Sequence, residues 1–295
     1  MQSLVLSAPA KVNLFLRVGA LRSDGYHSVQ TVMHTLSLAD TVVLTPADDL
    51  TVSCDVDLGI PASENLVCRA AKAFSVAFEV DVMLDIRVTK RIPSGAGLGG
   101  GSSDAAAVLV ALAHWARLPL DDARLLRVAR GLGADVPFFL EGGAALMSGR
   151  GDELTRRLKP IHADMVLVKP AASVPTGEAY RAFDAAPTTG GEARHVADAL
   201  RAQDVSALGT ALANNMTPAS SSLVPDIAEA LAWLSSEQGV LGAAMAGSGS
   251  AVFAICADPS AAQRLARLGG ERGWWSAACE TSPHGATIIR EDELA

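Results

Sequence analysis

Between Pro93 and Ser103 the chain sets five glycines in eleven residues, Pro93-Ser94-Gly95-Ala96-Gly97-Leu98-Gly99-Gly100-Gly101-Ser102-Ser103. The run before it, Met83 to Lys90, reads as a strand. The stretch after it, Ser103 to Leu112, is rich in alanine and leucine and favours a helix. Glycine loses more backbone freedom on folding than any other residue, and two glycines suffice for a turn. Five of them between a strand and a helix point to a backbone that must approach an anion closely. The free N–H groups at the helix start, aided by its dipole, can bind phosphate. Ser102 and Ser103 can add hydroxyl donors or a magnesium ligand. Gly99→Val or Gly100→Val is expected to block the phosphates and leave the fold largely intact.

Other readings of this loop fail or are weaker. The spacing Gly95-x-Gly97-x-x-Gly100 matches the dinucleotide fingerprint, which needs a second strand ending in an acidic residue about twenty positions on. Asp121 and Asp122 stand near that distance but introduce a helix. A Walker loop is excluded because no Gly-Lys-Ser or Gly-Lys-Thr occurs there. A plain connection in which Ser102 or Ser103 caps the helix is the bland alternative.

The 295 residues, 49% of them apolar, bury a full core and suggest two domains. With 24 basic and 32 acidic residues the formal charge is -8. That balance opposes extended contact with nucleic acid or a membrane surface. The apolar stretch Ala105 to Ala113 is too short to span a bilayer, and Lys11 interrupts the amino terminus where a signal peptide would be apolar. A cytoplasmic location is expected. Cys54, Cys68, Cys256 and Cys279 form no C-x-x-C pair and no histidine stands at metal-ligand spacing, so neither a zinc site nor a disulfide framework is expected.

Along the chain, Val12, Leu14, Leu16 and Val18 share one side of a strand by the period of two, and Lys11 and Asn13 share the other. Further strands are predicted over Thr31–Leu38, Thr41–Thr45 and Ser250–Cys256. Helices are predicted near Asn65–Phe78, Leu120–Arg130, Val196–Leu200, Val205–Asn214 and Pro225–Glu237. Strands and helices in this order, without regular alternation, indicate α+β.

Three separated motifs make the chain resemble the GHMP kinase superfamily. They are Ala8-Pro9-Ala10-Lys11-Val12-Asn13-Leu14, the loop Pro93–Ser103, and Ala246-Gly247-Ser248-Gly249-Ser250, in the family's order and across most of the chain. Asp24-Gly25-Tyr26-His27, the triple glycine Gly99–Gly101 and Gly133-Ala134-Asp135-Val136-Pro137-Phe138 resemble the branch whose alcohol substrate carries a cytidine diphosphate group. The resemblance implies a ribosomal-S5-like amino-terminal domain, expected over residues 1–160, and a ferredoxin-like carboxy-terminal domain over 161–295, with the active site between them. It implies ATP as co-substrate, Mg2+ with it, and transfer of the γ-phosphoryl group to an alcohol.

The same resemblance suggests roles. Asp135 would accept the hydroxyl proton, and Lys11 would orient Asp135 and stabilise negative charge. Residues Pro93–Ser103 would bind ATP. Asn13, Tyr26 and His27 would surround the cytidine-bearing substrate, with Tyr180 stacking on cytosine. Without it, Asp135 reads as a helix cap before Val136-Pro137, Lys11 as a solvated strand lysine, Tyr26 and His27 as closing a turn, and Tyr180 as a half-buried helix residue. Another GHMP kinase, a dinucleotide-binding oxidoreductase and a catalytically silent binding member are the competing functions. The magnesium ligands and the oligomeric state are left open by the sequence.

Overall fold

The computed structural model describes residues 2–292. Two long strands, β1 (Ser3–Leu21) and β2 (His27–Pro46), form an antiparallel pair that is the spine of the first sheet. The two runs predicted within residues 31–45 are one strand, because Ala39 and Asp40 continue the ladder opposite Pro9 and Ala8. Strand β3 (Thr51–Cys54) runs parallel to β4 (Leu84–Thr89), which lies antiparallel to β2. Strands β5 (Ala144–Ser148) and β6 (Glu153–Leu158) extend the sheet from the first half of β2.

The register of β1 on β2 slips between Pro9 and Lys11 and again between Asn13 and Phe15. Such bulges re-aim side chains. Lys11 and Asn13 keep a common face, as the period of two predicts, whereas Leu14 and Phe15 are both wholly buried in one cluster.

Four helices pack with this sheet into a single apolar cluster. Helix α1 (Leu66–Phe78) starts at Asn65, whose Oδ1 accepts the Val67 N–H at 2.9 Å. Helix α2 (Gly100–Trp115) follows the glycine loop, and every residue from Ser103 to Ala113 is buried, as a stretch without a polar face requires. Helix α3 (Ala123–Leu132) is capped by Asp122 and stops at Gly133, and α4 (Val136–Phe139) is a single turn.

The second sheet holds β7 (Asp164–Lys169), β9 (Val240–Met245), β10 (Val252–Cys256) and β11 (Trp275–Glu280) in the antiparallel order β11-β7-β10-β9, the arrangement of a ferredoxin-like unit. Helices α5 (Thr176–Ala185), α6 (Ala193–Ala202), α7 (Val205–Ala211), α8 (Thr217–Leu223) and α9 (Asp226–Ser236) lie between β7 and β9, and α10 (Pro259–Glu271) between β10 and β11. Residues 159–163 connect β6 of the first sheet to β7 of the second. Two later segments nevertheless join the first sheet: β8 (Ala213–Asn214) pairs parallel to β1 at Phe15 and Leu16, and β12 (Thr287–Asp292) pairs antiparallel to its start.

The sheets are tied through the middle of β2. His34 Nδ1–H donates to the Thr35 carbonyl at 2.9 Å, Nε2 accepts the Ile161 N–H at 3.3 Å, and burial pushes this histidine down to about 4. Thr35 Oγ1 donates to the Ser282 carbonyl at 2.8 Å. All four cysteines are free thiols. Among the described residues no helix is long and apolar enough to cross a membrane.

Candidate active site

The three sequence motifs converge on Lys11. Its backbone N–H donates to the Leu98 carbonyl of the glycine loop at 3.0 Å. Its Nζ donates to Asn13 Oδ1 at 2.8 Å and lies 3.4 Å from Asp135 Oδ2. Asn13 Oδ1 also accepts the Gly247 N–H at 2.9 Å, while Asn13 Nδ2 donates to Thr31 Oγ1 at 2.8 Å. The Thr31 hydroxyl in turn donates to the Phe15 carbonyl at 2.6 Å. These bonds leave the carboxamide one orientation. Lys11 is only 3% exposed, so it is not the solvated strand lysine of the bland reading.

Asp135 stands at the N-cap position of α4 but makes no side-chain capping bond. Its carboxylate turns instead toward Lys11 across a cavity of about 280 Å³ lined by Gly97, Gly99, Ser102, Thr176 and Ser248 among others. Thr176 Oγ1 and Ser248 Oγ are 3.2 Å apart there.

The glycines of the loop have two causes rather than one. Gly95, Gly97 and Gly99 take φ of 64, 77 and 75°, which side chains rarely adopt. A Cβ on Gly97 would lie 2.2 Å from the Ala246 carbonyl oxygen, because the loop packs backbone to backbone against the third motif. A Cβ on Gly99 would lie 2.7 Å from the Phe139 ring, and one on Gly100 would lie 3.1 Å from Ile92. The expectation that Gly99→Val spares the fold therefore fails, because its side chain would run into the Phe139 ring at a φ of 75°; at Gly100 the side chain would press on Ile92 and Lys90 rather than on the phosphate site. Only Gly101 has room, with Leu66 Cδ1 at 3.7 Å. Gly97, Gly99 and Ser102 face the cavity, whereas Ala96, Leu98 and Ser103 are buried. Among the described residues Ser103 Oγ has no hydrogen-bond partner, and Ser102 is the serine that lines the cavity. Pro93, Ser94, Gly95, Gly100 and Gly101 do not line this cavity.

Beneath the loop lies a buried cluster of charges. Lys90 Nζ contacts Asp40 Oδ2 and, at 2.6 Å, Asp104 Oδ2. Two carboxylates share one ammonium, and among the described residues Asp104 Oδ1 has no partner. Burial pushes the Asp104 carboxyl up to about 7, Lys90 works against that shift, and Asp40 adds to it. A groove of about 380 Å³ beside this region is lined by Val56, Leu58, Ile60 and Asn65.

A second cavity of about 560 Å³ shares Val29, Ala134, Arg150, Thr176 and Tyr180 with the first, so the two are ends of one cleft. Tyr26 and His27 line this end. The Tyr26 N–H closes the predicted turn onto Asp24 Oδ1 at 3.1 Å, and the exposed ring lies under the Arg150 guanidinium at 4.7 Å. Asp152 Oδ2 holds Arg150 Nη2 at 2.9 Å. Tyr180 is half-buried on α5, with its ring 5.2 Å from that of His27. Burial, and then the Asp135 charge, push its phenol up.

Arg150, Thr176, Thr31 and Asp184 go unread in the sequence. Gly149-Arg150-Gly151, with φ of 70 and 91° at its glycines, was the visible sign of a tight turn presenting a cation. Thr176 and Asp184 stand four residues either side of Tyr180, a spacing that puts all three on one helix face.

A ferredoxin-like sheet joined to a larger β-sheet, with a glycine loop, a buried lysine and an aspartate converging at their junction, defines a small-molecule kinase of the GHMP type. The GHMP kinases N terminal domain matches residues 65–143, and the GHMP kinases C terminal domain matches residues 196–268. The 4-diphosphocytidyl-2-C-methyl-D-erythritol kinase of Pelotomaculum thermopropionicum is 41% identical over 88% of this chain and 91% of its own length. The enzyme of the same name from Anaeromyxobacter sp. strain K is 44% identical over 89% and 84%. A crystal structure of 4-(cytidine 5'-diphospho)-2C-methyl-D-erythritol kinase superposes with a TM-score of 0.78 at 36% identity, covering 94% of this chain and 99% of that one. Homoserine kinase from Cytophaga hutchinsonii shares the fold, with a TM-score of 0.74 at 20% identity over 98% of each chain. The chain belongs to the 4-diphosphocytidyl-2-C-methyl-D-erythritol kinase family of the GHMP kinases.

Proposed function

We propose that this kinase transfers the γ-phosphoryl group of ATP to the 2-hydroxyl of 4-diphosphocytidyl-2-C-methyl-D-erythritol, in the non-mevalonate route to isoprenoid precursors. The observation that carries the reading is the single cleft with Lys11 and Asp135 at one end and Tyr26, His27 and Tyr180 at the other. Phosphoryl transfer needs positioned groups and stabilised charge more than covalent help from the protein. Asp135 accepts the proton of the attacking hydroxyl, and Lys11 orients Asp135 and offsets charge on the transferred group. The backbone of the glycine loop around Gly97, Gly99 and Ser102, leading into α2, holds phosphate. The groove lined by Val56, Asp57, Ile60 and Asn65 takes the adenine, supported by its mixed apolar and polar lining and its position next to Leu66, which lies against Gly101. Tyr26 and Tyr180 offer ring faces to cytosine, and Arg150 faces the diphosphate. The chain divides near residue 160 in this reading, with the substrate held between the units.

Magnesium would accompany ATP. The donors facing the cavity, Ser102 Oγ and the Asp135 carboxylate, are hard oxygens, as a cation held mainly by phosphates and water requires. It would supply charge neutralisation on the phosphates.

The test compares specificity constants for 4-diphosphocytidyl-2-C-methyl-D-erythritol, homoserine, mevalonate and galactose, with ADP release as readout. The first is expected to be phosphorylated at its 2-hydroxyl and the others to turn over little. If one of the other three is the best substrate, the assignment is overturned and the kinase class survives.

A further inference from the structure

Helix α5 crosses the whole cleft. Thr176, Tyr180 and Asp184 lie at i, i+4 and i+8 on one of its faces, so they span about 12 Å at 1.5 Å per residue. Thr176 meets Ser248 beside the reacting groups, and Tyr180 lines both ends of the cleft. Asp184 Oδ1 reaches His27 Nε2, at the β1–β2 corner of the other sheet, at 3.2 Å.

His27 is buried, and its second ring nitrogen, Nδ1, lies 2.8 Å from the Gly19 carbonyl. A carbonyl only accepts, so Nδ1 carries a hydrogen. The Asp184 carboxylate lies against Nε2 on the other side of the ring. Both nitrogens are then engaged by protein, and the ring serves as a wall: its plane is tilted 41° to that of Tyr180, and Phe183 backs it edge-on at 6.1 Å. Asp184 has no other ion-pair partner among the described residues. The Asp184 side chain is 51% exposed, so solvent screens its contact with the buried His27 and the contribution to stability is small. What it does contribute is the register of α5 against the corner.

We propose that Asp184 is a positioning residue for base recognition: by docking α5 on His27 it sets the spacing between Tyr180 and the Tyr26–His27 corner, and so decides affinity for a cytidine nucleotide without touching the reacting groups. The proposal rests on the kinase reading above and deepens it.

The experiment uses the full chain and three proteins, wild type, Asp184→Ala and Asp184→Asn. Asp184→Ala should weaken cytidine 5'-monophosphate binding in calorimetry about tenfold and raise the KM of the cytidine-bearing substrate equally. The kcat, the KM for ATP and the melting temperature should stay as in wild type. Asp184→Asn keeps a hydrogen-bonding partner for Nε2 and should restore affinity to within about threefold of wild type. Nitrogen-15 spectra should show the His27 Nε2 resonance displaced in Asp184→Ala relative to wild type. Wild-type affinity in Asp184→Ala, or a proportionate fall of kcat, ATP affinity and melting temperature, overturns the proposal alone. Failure of the wild-type chain to bind cytidine 5'-monophosphate overturns both the proposal and the reading beneath it.

Discussion

Lys11 Nζ stands 3.4 Å from Asp135 Oδ2, one from a bulged strand and the other from the start of a single-turn helix. A lysine this deeply buried is held by its partners. Asp135→Asn keeps the shape and removes the base, so kcat should fall by about two to four orders of magnitude with ATP affinity and melting temperature nearly unchanged. Lys11→Met should damage kcat similarly. The double variant should lose far less than the product of the single losses, because groups acting as a unit are not additive. Steady-state kinetics and a melting curve for each variant check this, and retention of most kcat in Asp135→Asn removes the catalytic assignment.

Asn13 links the motifs by accepting from both Lys11 and Gly247. Asn13→Leu has nearly the same size but leaves the Gly247 N–H and Lys11 without that acceptor. Unfolding free energy in denaturant should drop by about 1–3 kcal/mol, the cost of an unpaired buried polar group. The kcat should fall at least tenfold as Lys11 loses its aim. Unchanged kinetics would leave Asn13 a purely structural residue.

The glycine loop offers a paired test. Gly97→Ala places a methyl against the Ala246 carbonyl at a φ of 77°, so it should destabilise by more than about 2 kcal/mol. Gly101→Ala meets only Leu66 at 3.7 Å and should melt as wild type does. Thermal denaturation of the two separates packing from ligand contact, and equal melting temperatures would contradict the backbone-to-backbone account.

Asp104 should make stability depend on pH. Its folded-state carboxyl is raised to about 7 from 3.8, so its favourable contribution is complete below 3.8 and is lost as pH rises through 7. Asp104→Asn leaves Lys90 paired one-to-one with Asp40. The variant should melt above wild type at pH 8, with a smaller difference at pH 5, as read by calorimetry. A variant that melts lower at pH 8 would mean that Lys90 needs both carboxylates.

Local periodicity sufficed for much of the fold. Helix α1 with its Asn65 cap, the stop of α3 at Gly133 and the shared face of Lys11 and Asn13 all follow from neighbours a few residues apart. The motif resemblance carried the two-domain GHMP kinase class. Helices α8 and α10 and the short pairings β8 and β12 were not legible, and of α5 only the helical setting of Tyr180 was read, because what stabilises these elements is contact with segments distant in sequence.

The order of motifs and the chemistry of Lys11, Asp135 and the glycine run were present in the chain itself, since residue type and short spacing specify which groups can accept protons or admit phosphate. Tertiary structure alone decided which glycines answer to packing. Gly97 needs its small size because Ala246, far along the chain, lies against it. It also decided that Asp135 turns from its capping position to Lys11, that Ser102 rather than Ser103 faces the cavity, and that Asp184 meets His27. Each of these is a distance between residues remote in sequence, and such distances are set by how two sheets and their helices bury their apolar faces together.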